Sequence, residues 1–149
     1  FGDPLLTTQQ DHVEIVNAIC QEFSDLPSDC ALILMGHGTS HYANDVYAAL
    51  DYRFKDLGHD NIHLATVEGY PTLENVIRLV KEQGAKKVIL TPFMIVAGDH
   101  ARNDMSGEDE DSWKNQFQAA GYEVECCLKG LGEYPAVQNM LIRHVTEVC

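Results

Sequence analysis

A brief apolar run followed at once by a helical pattern recurs along this chain, and that alternation constrains the fold more than any other feature. Ala31–Met35 is such a run, ending in Gly36, after which Val46, Leu50, Phe54 and Leu57 recur at helical spacing up to Gly58. Ile62–Val67 reads as a second strand, with Pro71 near the first turn of a helix, Leu73, Val76, Ile77 and Val80 as its apolar stripe and Gly84 as its C-cap. Lys87–Phe93 is a third strand. An irregular polar stretch from Ala97 to Asp111 separates it from a helix carrying Trp113, Phe117 and Ala120 on one face and closed by Gly121. Tyr122–Leu128 is a fourth strand, and Val137, Met140, Leu141 and Val148 mark a last helix. Strands that alternate with helices of this length imply an α/β fold: a parallel four-stranded sheet with helices on both faces.

Ahead of the first strand, Thr8 and Asp11 form a variant capping signal, and Val13, Val16, Ile19, Cys20 and Phe23 keep helical spacing until Pro27. Residues 1–30 are therefore expected to form a lead-in helix. No repeat, low-complexity tract or linker divides the 149 residues, so 1–149 reads as a single α/β domain, long enough to bury a core without disulfides. The chain opens Phe1-Gly2-Asp3-Pro4 without methionine, which leaves a preceding segment or export signal open.

Charge and composition exclude several roles. Ten Lys and Arg against 23 Asp and Glu give a net charge of −13, which repels a phosphate backbone and argues against nucleic acid as partner. No apolar run reaches the length of a membrane span, so no membrane association is expected. The five cysteines are odd in number and show neither a disulfide framework nor metal spacing, which favours a reducing cytoplasm. Cys20 falls on an apolar stripe and reads as a small core residue.

In open α/β sheets ligands bind outside the carboxyl ends of the strands, so the residues leaving each strand carry the functional expectation. Strand one runs into Gly36-His37-Gly38, strand two into Glu68-Gly69-Tyr70-Pro71, and strand three into Gly98-Asp99-His100. His37, Glu68 and His100 thus emerge on one rim, each beside or near a glycine that permits sharp turns and close ligand approach. Singly each has a plainer reading: a solvated loop histidine, or a carboxylate at a helix N-terminus in the case of Glu68. Together, two imidazoles and a carboxylate form a nitrogen and oxygen set suited to a divalent ion such as Co²⁺, Fe²⁺, Ni²⁺ or Zn²⁺ with open positions. His41 stays a candidate for a supporting or substrate contact, whereas His12, His59, His63 and His144 fall away from the rim and are assigned no role.

Other chemistries lack their carriers. Gly36-His37-Gly38-Thr39-Ser40-His41 has a histidine where a dinucleotide fold needs a small residue, and no phosphate-loop, zincin or serine-hydrolase motif occurs. Glu108-Asp109-Glu110-Asp111 reads as a solvated face or a carboxylate-rich first turn, with a cation attractor beside His100 as its functional alternative.

The segments MGHGTSHYA at 35–43, VEGYP at 67–71 and FMIVAGDHARNDMSGEDEDSWK at 93–114 resemble the anaerobic sirohydrochlorin cobalt chelatases, class II chelatases related in fold to ferrochelatase. The likeness extends from Gly2 to Glu133. It implies one half of a two-domain chelatase fold, the second half, with the first half absent. It also implies a lyase that inserts Co²⁺ into sirohydrochlorin on the route to cobalamin without ATP or any other nucleotide. His37 and His100 match the family's active-site histidines and Glu68 its metal-site glutamate. The implied partners are sirohydrochlorin and the missing half, or a second copy of the chain as a homo-oligomer. The isolated 149-residue piece is expected to be slow or inactive. Alternatives are an iron or nickel chelatase acting on a related tetrapyrrole, a non-catalytic metal or tetrapyrrole carrier, and a metal-dependent hydrolase using the same three residues to activate water.

Overall fold

Thr8 opens the first helix through reciprocal hydrogen bonds: the Asp11 N–H donates to Thr8 Oγ1 at 3.0 Å and the Thr8 N–H donates to Asp11 Oδ2 at 3.3 Å. The computed structural model describes residues 8–38, 44–94 and 98–148. From Thr8 the chain runs through α1 (Gln9–Glu22), β1 (Cys30–Gly36), α2 (Asp45–Asp56), β2 (Ile62–Thr66), α3 (Leu73–Gln83), β3 (Lys87–Pro92), α4 (Asp99–Ser106), α5 (Trp113–Ala119), β4 (Glu123–Cys126), a short 3-10 turn (Leu131–Glu133) and α6 (Pro135–Val148). The four strands form one parallel sheet in the order β2-β1-β3-β4. Among the described residues, no helix is long and apolar enough to cross a membrane.

Side chains alternate across β1, and this divides the core in two. Leu32 and Leu34 pack with Ile15 and Ile19 of α1, Leu50 and Phe54 of α2 and Val137 of α6, while Ala31, Ile33 and Met35 pack with Val76 and Val80 of α3, Met105 of α4 and Phe117 of α5. Helices therefore cover both faces, and β1 is buried along its whole length. That double burial explains why its sequence is continuously apolar.

Several boundaries differ from the sequence reading, each for a local reason. The apolar stripe of α1 centres on Ile15, Val16 and Ile19, and Val13 is 39% exposed beside Leu57 in a shallow outer groove between α1 and α2. Pro71 lies ahead of α3 rather than in its first turn, because Thr72 is the N-cap, its hydroxyl accepting from the Asn75 N–H at 3.2 Å. Ala120 is the exposed C-cap of α5 instead of part of its buried face. β4 is shorter than Tyr122–Leu128. It pairs only with β3 and then leaves towards the 3-10 turn, where the Leu131 N–H bonds the Met94 carbonyl at 2.7 Å. The irregular stretch from Ala97 contains the helix α4, which turns Ala101 and Met105 onto the core. The acidic run 108–111 is an exposed turn ahead of α5, and Asn115 Nδ2 donates to the carbonyls of Glu108 and Asp109 there. Gly84 does cap α3, with a φ of 74°. Residues 1–7, 39–43 with His41, 95–97, and the side chains of Leu141, His144 and Val148 lie outside what is described.

Candidate metal and proton site

The chain passes from β1 to β2 on one side and returns to β3 on the other side of β1, so the strand order reverses at β1. In such sheets the crevice outside the carboxyl ends at that reversal is where ligands bind. The first residue past β1 is His37.

The exits of β1 and β2 are joined beyond the strands themselves. Gly36 pairs with Thr66 at the end of the ladder, the Val67 N–H donates to the Gly36 carbonyl at 3.0 Å, and the Glu68 N–H donates to the His37 carbonyl at 2.9 Å. This backbone link puts the two side chains alongside one another: His37 Nε2 stands 3.5 Å from Glu68 Oε2, with 69% and 62% of the two side chains exposed. The pair is open to a ligand.

Glycine makes the approach possible. Gly38 has a φ of 81°, and a Cβ there would meet Thr66 Cβ at 2.6 Å and the Gly69 nitrogen at 2.8 Å. A Cβ on Gly69 would run into the Asn44 side-chain amide. Thr66 then organises the β2 exit. Its hydroxyl accepts from the Gly69 N–H at 2.9 Å and donates to the Pro71 carbonyl at 3.1 Å, and its own N–H donates to the same carbonyl at 2.8 Å. Asn44, at the start of α2, donates from Nδ2 to the Tyr70 carbonyl at 2.6 Å. Thr66 and Asn44 were not singled out from the sequence. A hydroxyl on the last residue of a strand, just ahead of Val-Glu-Gly, is the signal that points to the first of them.

The plainer reading of Glu68 does not hold. The carboxylate in the first turn of α3 is Glu74, and Glu68 stands well ahead of the Thr72 cap with its side chain directed at His37.

His100 is placed differently. It occupies the second position of α4, after the Gly98 cap, and is exposed on a helix rather than on a loop. Among the described residues no three His, Cys, Asp or Glu side chains stand close enough together to hold a metal, so the structure brings together two of the three rim residues and leaves His100 apart.

Three cysteines are poorly suited to this chemistry. Burial pushes the Cys20, Cys30 and Cys126 thiols above their ordinary range, which disfavours the thiolate that a nucleophile or metal ligand requires. Cys20 packs against the α1 side of the core, as its position on the stripe suggested.

Comparison with known proteins bears on the family and the fold. The family model described as cobalt chelatase (CbiK) matches residues 1–149. The chain is 40% identical over 145 residues to the sirohydrochlorin cobaltochelatase of Salmonella typhimurium, covering 97% of this chain and 54% of the relative. It is 33% identical over 149 residues to the sirohydrochlorin cobaltochelatase CbiKC of Nitratidesulfovibrio vulgaris, covering 97% and 51%. The chain thus spans about half the length of the curated relatives it matches. Among solved structures it is similar to a protein named for cobalamin (vitamin B12) biosynthesis, CbiX, from Marinobacter aquaeolei VT8. There the TM-score is 0.60 at 21% identity, covering 80% of this chain and 93% of that one. A multi-domain Deinococcus radiodurans protein with structural similarity to chelatases gives a TM-score of 0.58 at 20% identity over 90% of this chain and 29% of that one. At these identities the two structures speak for the fold alone.

Proposed function

Since the chain belongs to the cobalt chelatase family, we propose that it forms the metal-holding and proton-accepting wall of an enzyme that inserts Co²⁺ into sirohydrochlorin. The observation that carries this reading is the separation of 3.5 Å between His37 Nε2 and Glu68 Oε2 at the open rim. Two ligand atoms bound about 2.1 Å from one ion at a tetrahedral angle stand about 3.4 Å apart, so the pair is spaced to chelate a single divalent cation. The two curated relatives quoted above are named for the same reaction.

The chemistry exchanges two pyrrole N–H protons for a dication. Net charge on the macrocycle is conserved only if two protons leave as the ion enters, so the site needs bases as well as ligands. A neutral imidazole serves either purpose, and histidine titrates closest to neutrality of the common side chains. His37 and Glu68 would hold the incoming Co²⁺, the carboxylate offsetting part of its charge. Once the ion passes to the macrocycle, the freed imidazole nitrogen and carboxylate oxygen become acceptors for the departing protons. His100, carried on α4 after β3, is proposed as a third ligand or base that engages when substrate fills the crevice.

Because the relatives are about twice as long, the opposite wall of the cleft is proposed to come from a further α/β half or from a second copy of this chain. No nucleotide takes part in this reading, cobalt is the metal that the family points to, and iron or nickel is the alternative cargo. The test is the visible spectrum of sirohydrochlorin mixed with Co²⁺ and protein, with and without the separately expressed complementary half. The expected result is a metallated spectrum appearing faster than without protein, with a rate that increases when the second wall is present. A rate equal to the protein-free control under both conditions would refute the proposal.

A further inference from the structure

Two tyrosines have large exposed rings: Tyr52 is 71% exposed and Tyr70 63%. Exposure of one aromatic ring is ordinary on a protein surface and is no argument by itself. Their settings differ. Tyr52 lies within α2, whereas Tyr70 lies at the carboxyl rim of the sheet, two residues beyond Glu68.

The loop that carries Tyr70 is tied at every step. The Glu68 N–H bonds the His37 carbonyl, the Gly69 N–H bonds Thr66 Oγ1, the Tyr70 carbonyl accepts from Asn44 Nδ2, and the Pro71 carbonyl accepts from both the N–H and the hydroxyl of Thr66. Asn44 also fills the space over Gly69. A loop so fixed does not need the Tyr70 ring for its own packing, yet it leaves that ring exposed at the rim, two residues beyond Glu68. Fixing the backbone that carries a large flat ring lowers the entropy lost when something stacks on it.

We infer that the Tyr70 ring is a stacking platform for the face of the tetrapyrrole, setting the macrocycle over His37 and Glu68; this rests on the chelatase reading above. The chemistry fits the juxtaposition. A conjugated macrocycle offers a broad π face that an aromatic side chain recognises at offset-stacking distance. Its carboxylates are disfavoured by a chain of net charge −13, whereas its uncharged face is not. Tyr70 is thus a positioning residue for the second substrate, as the His37 and Glu68 pair is for the first.

The experiment separates the two substrates. Metal-free sirohydrochlorin is titrated into the 149-residue chain and followed by visible absorption, and Co²⁺ is titrated separately by calorimetry, for wild type, Tyr70→Ala, Tyr70→Phe, Tyr52→Ala and Glu68→Gln. Tyr70→Ala is expected to weaken sirohydrochlorin binding about tenfold, the scale of one aromatic stacking contact, with Co²⁺ affinity unchanged. Tyr70→Phe and Tyr52→Ala should stay within about twofold of wild type, and Glu68→Gln should show the reverse pattern, losing Co²⁺ and keeping the tetrapyrrole. In turnover, Tyr70→Ala should raise KM for sirohydrochlorin more than it lowers kcat. Unchanged tetrapyrrole binding in Tyr70→Ala overturns the platform while leaving the chelatase reading standing. So does a loss in Tyr70→Phe equal to that in Tyr70→Ala, which would give the role to the hydroxyl. Loss of both ligands in Tyr70→Ala, or an equal loss in Tyr52→Ala, would show a structural or unspecific effect and overturns it as well. Failure of the wild-type chain to bind sirohydrochlorin both alone and with the complementary half overturns the chelatase reading and this inference with it.

Discussion

The exits of β1 and β2 and the exit of β3 reach the same rim by different means. At the first two, the ladder continues past the strands through the His37 carbonyl, and two glycines let the backbones close up, so His37 and Glu68 meet at 3.5 Å. At the third, a separate helix carries His100, its position set by Ala101 and Met105 seating on the core, and it stands apart from the pair. The contrast teaches that part of the proposed site is set by backbone geometry, whereas the rest depends on where α4 sits.

The largest effect that can break this comparison is on Co²⁺ binding by the unliganded protein. His37→Ala or Glu68→Gln should weaken it by about a hundredfold, since losing even a group that supports a ligand commonly costs 10- to 100-fold. His100→Ala should weaken the same affinity by at most a few-fold, while chelatase turnover falls in all three variants and circular dichroism barely changes. Calorimetry beside initial rates checks both halves of the statement. An affinity loss in His100→Ala equal to that in His37→Ala would mean that the three residues act as one preformed site.

A smaller effect sharpens how the pair is built. Gly38 and Gly84 both have positive φ, at 81° and 74°, but a Cβ at Gly38 meets Thr66 and Gly69, while at Gly84 nothing lies within 4 Å. Gly38→Ala should therefore cost about 3 kcal/mol, the sum of left-handed strain and overpacking, or about 10 °C in melting temperature. Gly84→Ala should cost only the strain, about 1 kcal/mol, and leave Co²⁺ affinity untouched. Thermal melts with calorimetry would decide this, and equal costs at the two positions would mean that the close approach at Gly38 is not what holds the β1 and β2 exits together.

Much of this was legible in the sequence, and the parts that were not share a cause. The Thr8 and Asp11 cap, the Gly84 cap and the buried runs of β1 to β3 are read from neighbours in the chain. So is the emergence of His37 and Glu68 just past β1 and β2, which follows from strand polarity alone, whereas His100 lies on α4 and stands apart from them. The helix α4 is not legible in the sequence because Asp99–Ser106 is mostly polar, with only Ala101 and Met105 to mark its inner face. The exposure of Val13 is not legible either, because α1 packs against α2 and α6 as well as the sheet, and that turns its buried face towards Ile15. Which two of the three rim residues meet could not be read from spacing, because it depends on the non-local pairing of Gly36 with Thr66.

The smallest predicted effect separates the protons of the rim from those of the fold, and it arises on the strand that leads to Glu68. At the second position of β2, His63 is buried between α2 and α3. Its Nε2 lies 2.8 Å from Gln83 Oε1, which can only accept, so Nε2 carries the proton and Nδ1 faces the Lys55 ammonium at 3.5 Å as acceptor. Lys55 also donates to Asp51 Oδ1 at 3.0 Å and to the Ile62 carbonyl at 3.1 Å, Asp51 Oδ1 accepts the Leu64 N–H at 2.9 Å, and Gln83 Nε2 donates to the Asp60 carbonyl at 2.9 Å. Burial first, and the Lys55 charge second, hold the His63 imidazole below its ordinary range. The unfolded chain takes up this proton near pH 6.5 while the folded chain still refuses it, so stability falls as pH drops below about 6.5 and is insensitive to His63 above that value. His63→Gln should lose about 1 kcal/mol at neutral pH through the altered hydrogen bonds, and lose less than wild type between about pH 6.5 and 5, so that the two curves converge in acid. Melting temperature against pH for both proteins checks this, and parallel curves would acquit His63. Any acid loss of chelatase rate that persists unchanged in His63→Gln then belongs to the rim and not to unfolding.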